Sequence, residues 1–229
     1  MSRSAPMHRA RSLAILGVAT LAAALGACSA DKLGPSTPAS VSSFSGDSQT
    51  VLAGNRASAP LVAVVENSDG SLLPNVEVRW SVTTGGGSLT ALVDTTDVNG
   101  RVSNLYLSPA IAGTAKVFAG AGARGKTFTL KIAADTIGQL TALDGNGAAG
   151  VVGAPLTLVA KAIDRFGNPI QNISVSWSAS SGSLQNSAGT TDSTGKATNV
   201  ITVGPDPGTV AVTATSRFNS VTFTVSALK

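Results

Sequence analysis

The chain has 229 residues, of which 43% are apolar, 12% charged and 4% aromatic. That length suits one large domain or two of about 100 residues, and the apolar share builds packed cores and excludes a disordered polyelectrolyte. A formal charge of +4 invites a nucleic-acid reading, but most of it lies in the first eleven residues, and so few aromatics exclude a stacking platform for bases.

Residues 1–27 are expected to be a leader. Arg3, Arg9 and Arg11 precede an apolar run from Ser12 to Ala27, with no acid among them. A basic start, an apolar middle and small residues at the end describe a secretory signal peptide. The run is shorter than the roughly 20 residues of a membrane span. The leader holds three of the 16 basic residues, which leaves 13 against 12 acidic ones. The exported body is therefore nearly neutral, and nucleic acid is not an expected partner.

Leu25-Gly26-Ala27-Cys28 resembles the lipobox of bacterial lipoproteins. The resemblance implies a diacylglycerol thioether on Cys28, cleavage just before it and acylation of the new amine. Several acyl chains, at about 0.8 kcal/mol per buried CH₂, anchor a protein stably where one short chain does not. Ser29 in place of Asp after the cysteine implies the outer membrane, by analogy with enterobacterial sorting. The alternative is an ordinary signal peptide ending at Ala27 or Ala30, with Cys28 discarded or free. Residues 28–40 are expected to be the lipidated cysteine and a flexible tether, since SADKLGPSTPAS is small, polar and Pro-containing.

The remainder is a doubled unit. VEVRWSV (Val76–Val82) matches ISVSWSA (Ile173–Ala179) at an offset of 97, while TTDVNGRV (Thr95–Val102) matches TTDSTGKA (Thr190–Ala197) at 95. AGTAKVFA and KTFTLKI find PGTVAVTA and VTFTVSA at the same 95. A unit of this length is a domain rather than a solenoid repeat, and the units are placed at 41–133 and 134–229. Within each, apolar residues recur with period two: Val76, Val78 and Trp80 alternate with polar neighbours, as do Ile173, Val175 and Trp177. Phe128, Leu130 and Ile132 repeat the pattern, and Phe223 and Val225 follow it. Short runs rich in Val, Thr, Ile and Phe, separated by Gly, Asp, Asn and Pro, predict an all-β fold of two tandem antiparallel sandwiches. Neither unit has a cysteine pair, so each is held by packing. Trp80, Val78 and Phe128 are the expected core of the first, and Trp177, Val175 and Phe223 of the second. Asn104 and Asn199 occupy equivalent places where the period calls for an apolar residue; a bulge and a satisfied buried amide both fit.

In the second unit Asp164, Gly167, Asn168, Pro169, Val175, Trp177, Gly182, Ser183, Leu184, Thr191, Asp192, Gly195, Ala197, Gly208, Thr209, Val212 and Ala214 follow one pattern. They carry nearly all of D-x-x-G-N-P, V-x-V-x-W/F, G-G-S-L, T-D-x-x-G-x-A and G-T-x-x-V-x-A, and so the unit resembles the bacterial Ig-like domain group 1 repeats of invasin and intimin. The first unit departs at the first motif, with Asn67 for Asp and Leu72 where Pro would fall. The resemblance implies immunoglobulin-like sandwiches and says little of function, because one fold hosts many roles.

Little chemistry is expected of the folded part. His8 is in the leader and Cys28 at the anchor, so no imidazole or free thiol remains in the body as base or nucleophile. Gly145-Asn146-Gly147-Ala148-Ala149-Gly150 has dinucleotide-motif spacing, but no helix is expected after it to meet a pyrophosphate. Asp94, Asp97 and Asn99 are weak calcium candidates, with Asp192 at the matching turn and Asp135 and Asp144 placed near the junction. Calcium takes six to eight oxygens, and one or two acids per loop read better as turn formers. No enzyme activity, metal or cofactor is expected. The expected role is a non-catalytic envelope lipoprotein, a spacer or adhesion module that meets a surface protein or glycan by strand edges or end loops. The alternative, a carbohydrate-binding accessory lipoprotein, requires exposed aromatics on a sheet face.

Overall fold

The first unit begins with β1 (Ser40–Ser45), whose period-two pattern places Val41 against the core. The Ala39 N–H already donates to the Glu66 carbonyl, so pairing starts just inside the predicted tether. At Gly46 the chain turns from one sheet to the other. Its φ is +83°, and a Cβ there would stand 2.4 Å from the Pro60 carbonyl, so only glycine fits. Then follow β2 (Thr50–Leu52), β3 (Leu61–Glu66), β4 (Glu77–Thr84), β5 (Ser88–Leu89), β6 (Val93–Thr95), β7 (Arg101–Asn104), β8 (Tyr106–Leu107), β9 (Gly113–Ala121) and β10 (Arg124–Ala133). One sheet runs β1-β3-β7, the other β2-β10-β9-β4-β6, and β5 and β8 form a short ribbon. Strand β2 is parallel to β10; the other pairings are antiparallel.

The second unit repeats this plan. It comprises β11 (Ile137–Asp144), β12 (Ala149–Val151), β13 (Pro155–Asp164), β14 (Ser174–Ala179), β15 (Ser183–Leu184), β16 (Ala188–Thr190), β17 (Lys196–Thr202), β18 (Gly208–Thr215) and β19 (Ser220–Leu228). Its sheets run β11-β13-β17-β15 and β12-β19-β18-β14-β16. The computed structural model describes residues 37–217 and 219–229. The leader, Cys28 and most of the tether lie outside them. Both sandwiches belong to the compact unit Ser36–Lys229.

Each core is built from the alternating faces. Val78 and Trp80 of β4 meet Phe128, Leu130 and Ile132 of β10, and the Trp80 and Phe128 rings lie 5.8 Å apart, tilted by 34°. Val175 and Trp177 meet Phe223 and Val225, with ring centroids 5.7 Å apart at 33°. Trp80 is 3% exposed and Trp177 6%. Burying side chains of this size contributes roughly 1.5–3 kcal/mol each, and tilted ring pairs add about 0.5–1.5 kcal/mol. No disulfide is needed to close either sandwich.

Strand pairing adds a shift that the repeats alone do not show. Val41 faces Val65 as Leu140 faces Ala162, which sets an offset of 99 for β1 against 97 for β3. Leu61 faces Asn104 as Leu158 faces Asn199, with β7 at 95. The first sandwich is therefore two residues longer both between β2 and β3 and after its Trp strand. Both extra pairs lie at the same end of that sandwich, the one that faces the second. The Gly54 N–H donates to the Pro109 carbonyl there, Ala57 N–H to the Tyr106 carbonyl, and Gly86 packs beside Pro109.

Asn104 and Asn199 resolve as satisfied buried amides. Strand β7 keeps its alternation, and Asn104 is 2% exposed. Its Oδ1 accepts from the Thr90 N–H and the Thr90 hydroxyl, and its amide donates to the Ala91 carbonyl at 2.6 Å. Asn199 accepts from the Asn186 N–H and donates to the Asn186 carbonyl. Each amide adds to the main-chain bonds, Thr90 to Leu105 and Gln185 to Val200, that fasten a neighbouring edge segment.

Candidate functional site at the domain junction

The turn motifs are held by their acids. Asp97 accepts from the Asn99 and Arg101 N–H groups, and Asp192 from those of Thr194 and Lys196. The hydrogen bond from the Arg101 N–H outweighs the opposing desolvation at Asp97, and that from the Lys196 N–H leads at Asp192, so both carboxyls lie below the ordinary range. Asp94 accepts from the Thr95 N–H. Asp97 and Asp192 are engaged in shaping turns, Asp94 lies within β6, and among the described residues no group of three or more His, Cys, Asp or Glu is gathered to hold a metal. The threonine before each acid has a role that sequence reasoning missed. Buried Thr96 donates to the Leu73 carbonyl and accepts from the Val76 N–H; Thr191 does the same with Ile170 and Ile173. Its signal was present, since Thr recurs at the same place in both units.

The Gly145–Gly150 stretch is a strand connection. The Gly147 N–H donates to the Thr224 carbonyl, Asn146 accepts from the Thr224 N–H, and β12 follows in place of a helix. Asp135 and Asp144, placed together near the junction by sequence, are apart. Ile137 at the start of β11 faces Asp164, whereas Asp144 closes the far end of that strand against Val159. Only Asp135 reaches the junction, because β11 runs straight away from it.

The junction is built on the D-x-x-G-N-P loop of the second sandwich. Asp164 is 2% exposed and accepts four hydrogen bonds. One oxygen takes the Phe166 and Asn168 N–H groups, and the other takes the Asp135 N–H and the Asn168 side-chain amide at 2.8 Å. Burial pushes its carboxyl up, but the Asn168 side chain and the three main-chain donors outweigh that and hold it below the ordinary range. Thus oriented, Asn168 reaches across to the first sandwich. Its amide donates to the Ala110 carbonyl at 2.7 Å, and its Oδ1 accepts from the Ala112 N–H at 2.8 Å. Beside it the Phe166 ring lies on Gly54, where a Cβ would stand 2.5 Å from the ring. Arg165 pairs with Asp135 at 3.2 Å and covers the Phe166 ring.

The family model for the bacterial Ig-like domain (group 1) matches residues 41–133 and again 139–227. The chain belongs to that family, as two tandem members. Among solved structures it is similar to the D00-D0 domain of intimin, at 15% identity over 83% of this chain and 99% of that one, with a TM-score of 0.45. The D0-D1 domain of intimin is matched at 19% identity over 84% and 99%, with a TM-score of 0.34. Invasin, titled a bacterial integrin-binding protein, is matched at 17% over 82% of this chain and 39% of that one, with a TM-score of 0.37. No curated protein matches the chain.

Proposed function

We propose that the protein is a non-catalytic envelope lipoprotein, anchored through Cys28, whose paired sandwiches form a surface spacer or adhesion module. The observation that carries this reading is the hydrogen-bonded, part-buried junction, which joins two group 1 domains end to end behind the lipobox-like Leu25–Cys28. Such a body suits reach and presentation rather than turnover. It has no histidine or cysteine beyond residue 28, and its carboxylates with lowered pKa serve turns, an ion pair or the junction. Membership of a family that includes invasin and intimin repeats supports a place at the cell surface.

A surface protein or glycan would be met through edges and end loops. Val93 of edge strand β6 and Leu92 just before it are exposed, as are Leu72 and Val98 in the turns. Both Trp residues and Tyr106 are buried, so sugar binding by stacking would fall to exposed Phe44 of β1 and Phe118 of β9, and the Arg101 guanidinium already covers the Phe44 ring at 3.7 Å. The test is membrane fractionation with labelled palmitate, followed by protease shaving of intact cells. The proposal expects label on the wild type, none on Cys28→Ala, and release of the body by shaving. Label retained in Cys28→Ala, or a soluble wild type, would overturn the anchor; a membrane-bound body that shaving cannot reach would overturn the surface role.

A further inference from the structure

The four ends of the two sandwiches differ in the groups that make the junction. At the facing ends, Asn168 supplies a side-chain amide and the first sandwich supplies the Ala110 carbonyl and Ala112 N–H. At the outer end of the first sandwich, the loop equivalent to 164–169 is Asn67–Leu72. The equivalence is fixed by matching main-chain bonds, Asn67 with Ser71 and Asp164 with Asn168. Ser71 thus stands where Asn168 would, and its hydroxyl turns back to Asp69 at 2.6 Å. Asp69 stands in place of Phe166, and exposed Leu72 in place of Pro169. At the outer end of the second sandwich, the 108–113 loop is repeated by 203–208, with Gly113 and Gly208 sharing an extended positive φ of 156° and 144°. Position 112 is repeated there by Pro207, which has no N–H to donate.

We infer that the junction is a keyed coupling confined to the inner ends. Asn168, oriented by Asp164, reads the main chain of Ala110 and Ala112 and fixes the two sandwiches as one rigid body. Ser71 and Pro207 withhold the same chemistry from the outer ends. A further group 1 sandwich cannot be stacked on either outer end by these contacts, which leaves those ends to other partners. The physical basis is selective. An asparagine amide matched on both its donor and acceptor sides is satisfied within the protein in one relative placement of the domains, and any other gives up both part-buried bonds. The inference rests on the body alone and stands apart from the anchor and the surface role.

The test is the distance distribution between spin labels on the full chain, attached through Ser103→Cys and Thr198→Cys in a Cys28→Ser background. These exposed positions are equivalent in the two sandwiches. The expected result is a single narrow distribution that broadens at least about twofold in Asn168→Ala. Ala112→Pro carries the outer-end residue into the junction and is expected to broaden it equally. Near-ultraviolet circular dichroism of the buried indoles checks that each variant keeps its sandwiches. A broad distribution in the parent, or an unchanged width in folded Asn168→Ala, would overturn the inference. Should Ala112→Pro fail to fold, Asn168→Ala alone decides.

Discussion

The two sandwiches share topology, ring pairs, buried asparagines and Thr-Asp turns, yet they part company at their ends. The first spends extra residues on the end that receives its neighbour, where Ser108 is buried and donates to the Leu52 carbonyl. Val203 holds the equivalent place in the second. Conversely, the second sandwich carries a buried, fourfold-bonded Asp164 where the first carries half-buried Asn67, whose side chain accepts from its own neighbour Ser68. The interior of each unit answers to the fold; the loops answer to what lies beyond it.

Substitutions in matched pairs sharpen that comparison. The largest effects belong to the shared core: Trp80→Ala and Trp177→Ala are each expected to cost about 3–5 kcal/mol, lowering the denaturant midpoint of the sandwich that carries the change. Equal spread into both sandwiches would contradict two separate cores. Next come the buried amides. Asn104→Ala and Asn199→Ala should each cost about 1–3 kcal/mol by stranding main-chain groups, with Asn104 the costlier because it also holds the Thr90 hydroxyl. Chemical denaturation of each variant ranks them, and a neutral Asn104→Ala would break the explanation of the interrupted period.

Asp164→Ala against Asn67→Ala tests the ends directly. The first should cost about 1–3 kcal/mol, by leaving buried N–H groups unpaired, and the second less, because the Asn67 side chain holds only exposed Ser68 beside it. Comparable losses would erase the asymmetry. The smallest effect is that of acid. A carboxyl held low in the folded state contributes fully above the ordinary Asp value of about 3.9, and that contribution falls away as the pH drops through the lower folded value. Asp47 and Asp97 weaken the first sandwich in this range and Asp192 the second, whereas Asp164 holds its own loop and, through Asn168, the junction, and Asn67 does not titrate. The distance distribution should therefore broaden as the pH drops below the ordinary Asp value through the lower folded value of Asp164, before either core melts; simultaneous loss would contradict it.

The doubled sandwich and its core were legible because period-two runs and a repeated tryptophan specify which face is buried. The 99-residue offset of β1 and β2 was not, since those strands are short and share few residue identities with β11 and β12. Asn104 and Asn199 left two readings open because alternation reports burial and not hydrogen-bond partners. The junction was hidden for a similar reason. Asn168 was visible as part of a turn motif, but its partners are the main chain of Ala110 and Ala112, which no residue type advertises. Asp144 was misplaced because distance along a strand from a boundary was read as nearness to it.

The hydrogen bond from the Ala112 N–H to Asn168 is the most direct witness to the coupling. Amide hydrogen exchange at Ala112 should be slow in the full chain, in the range of the β9 amides that follow it, and should rise to that of an open loop in Asn168→Ala. Loop-like exchange at Ala112 in the unaltered protein would contradict the coupling.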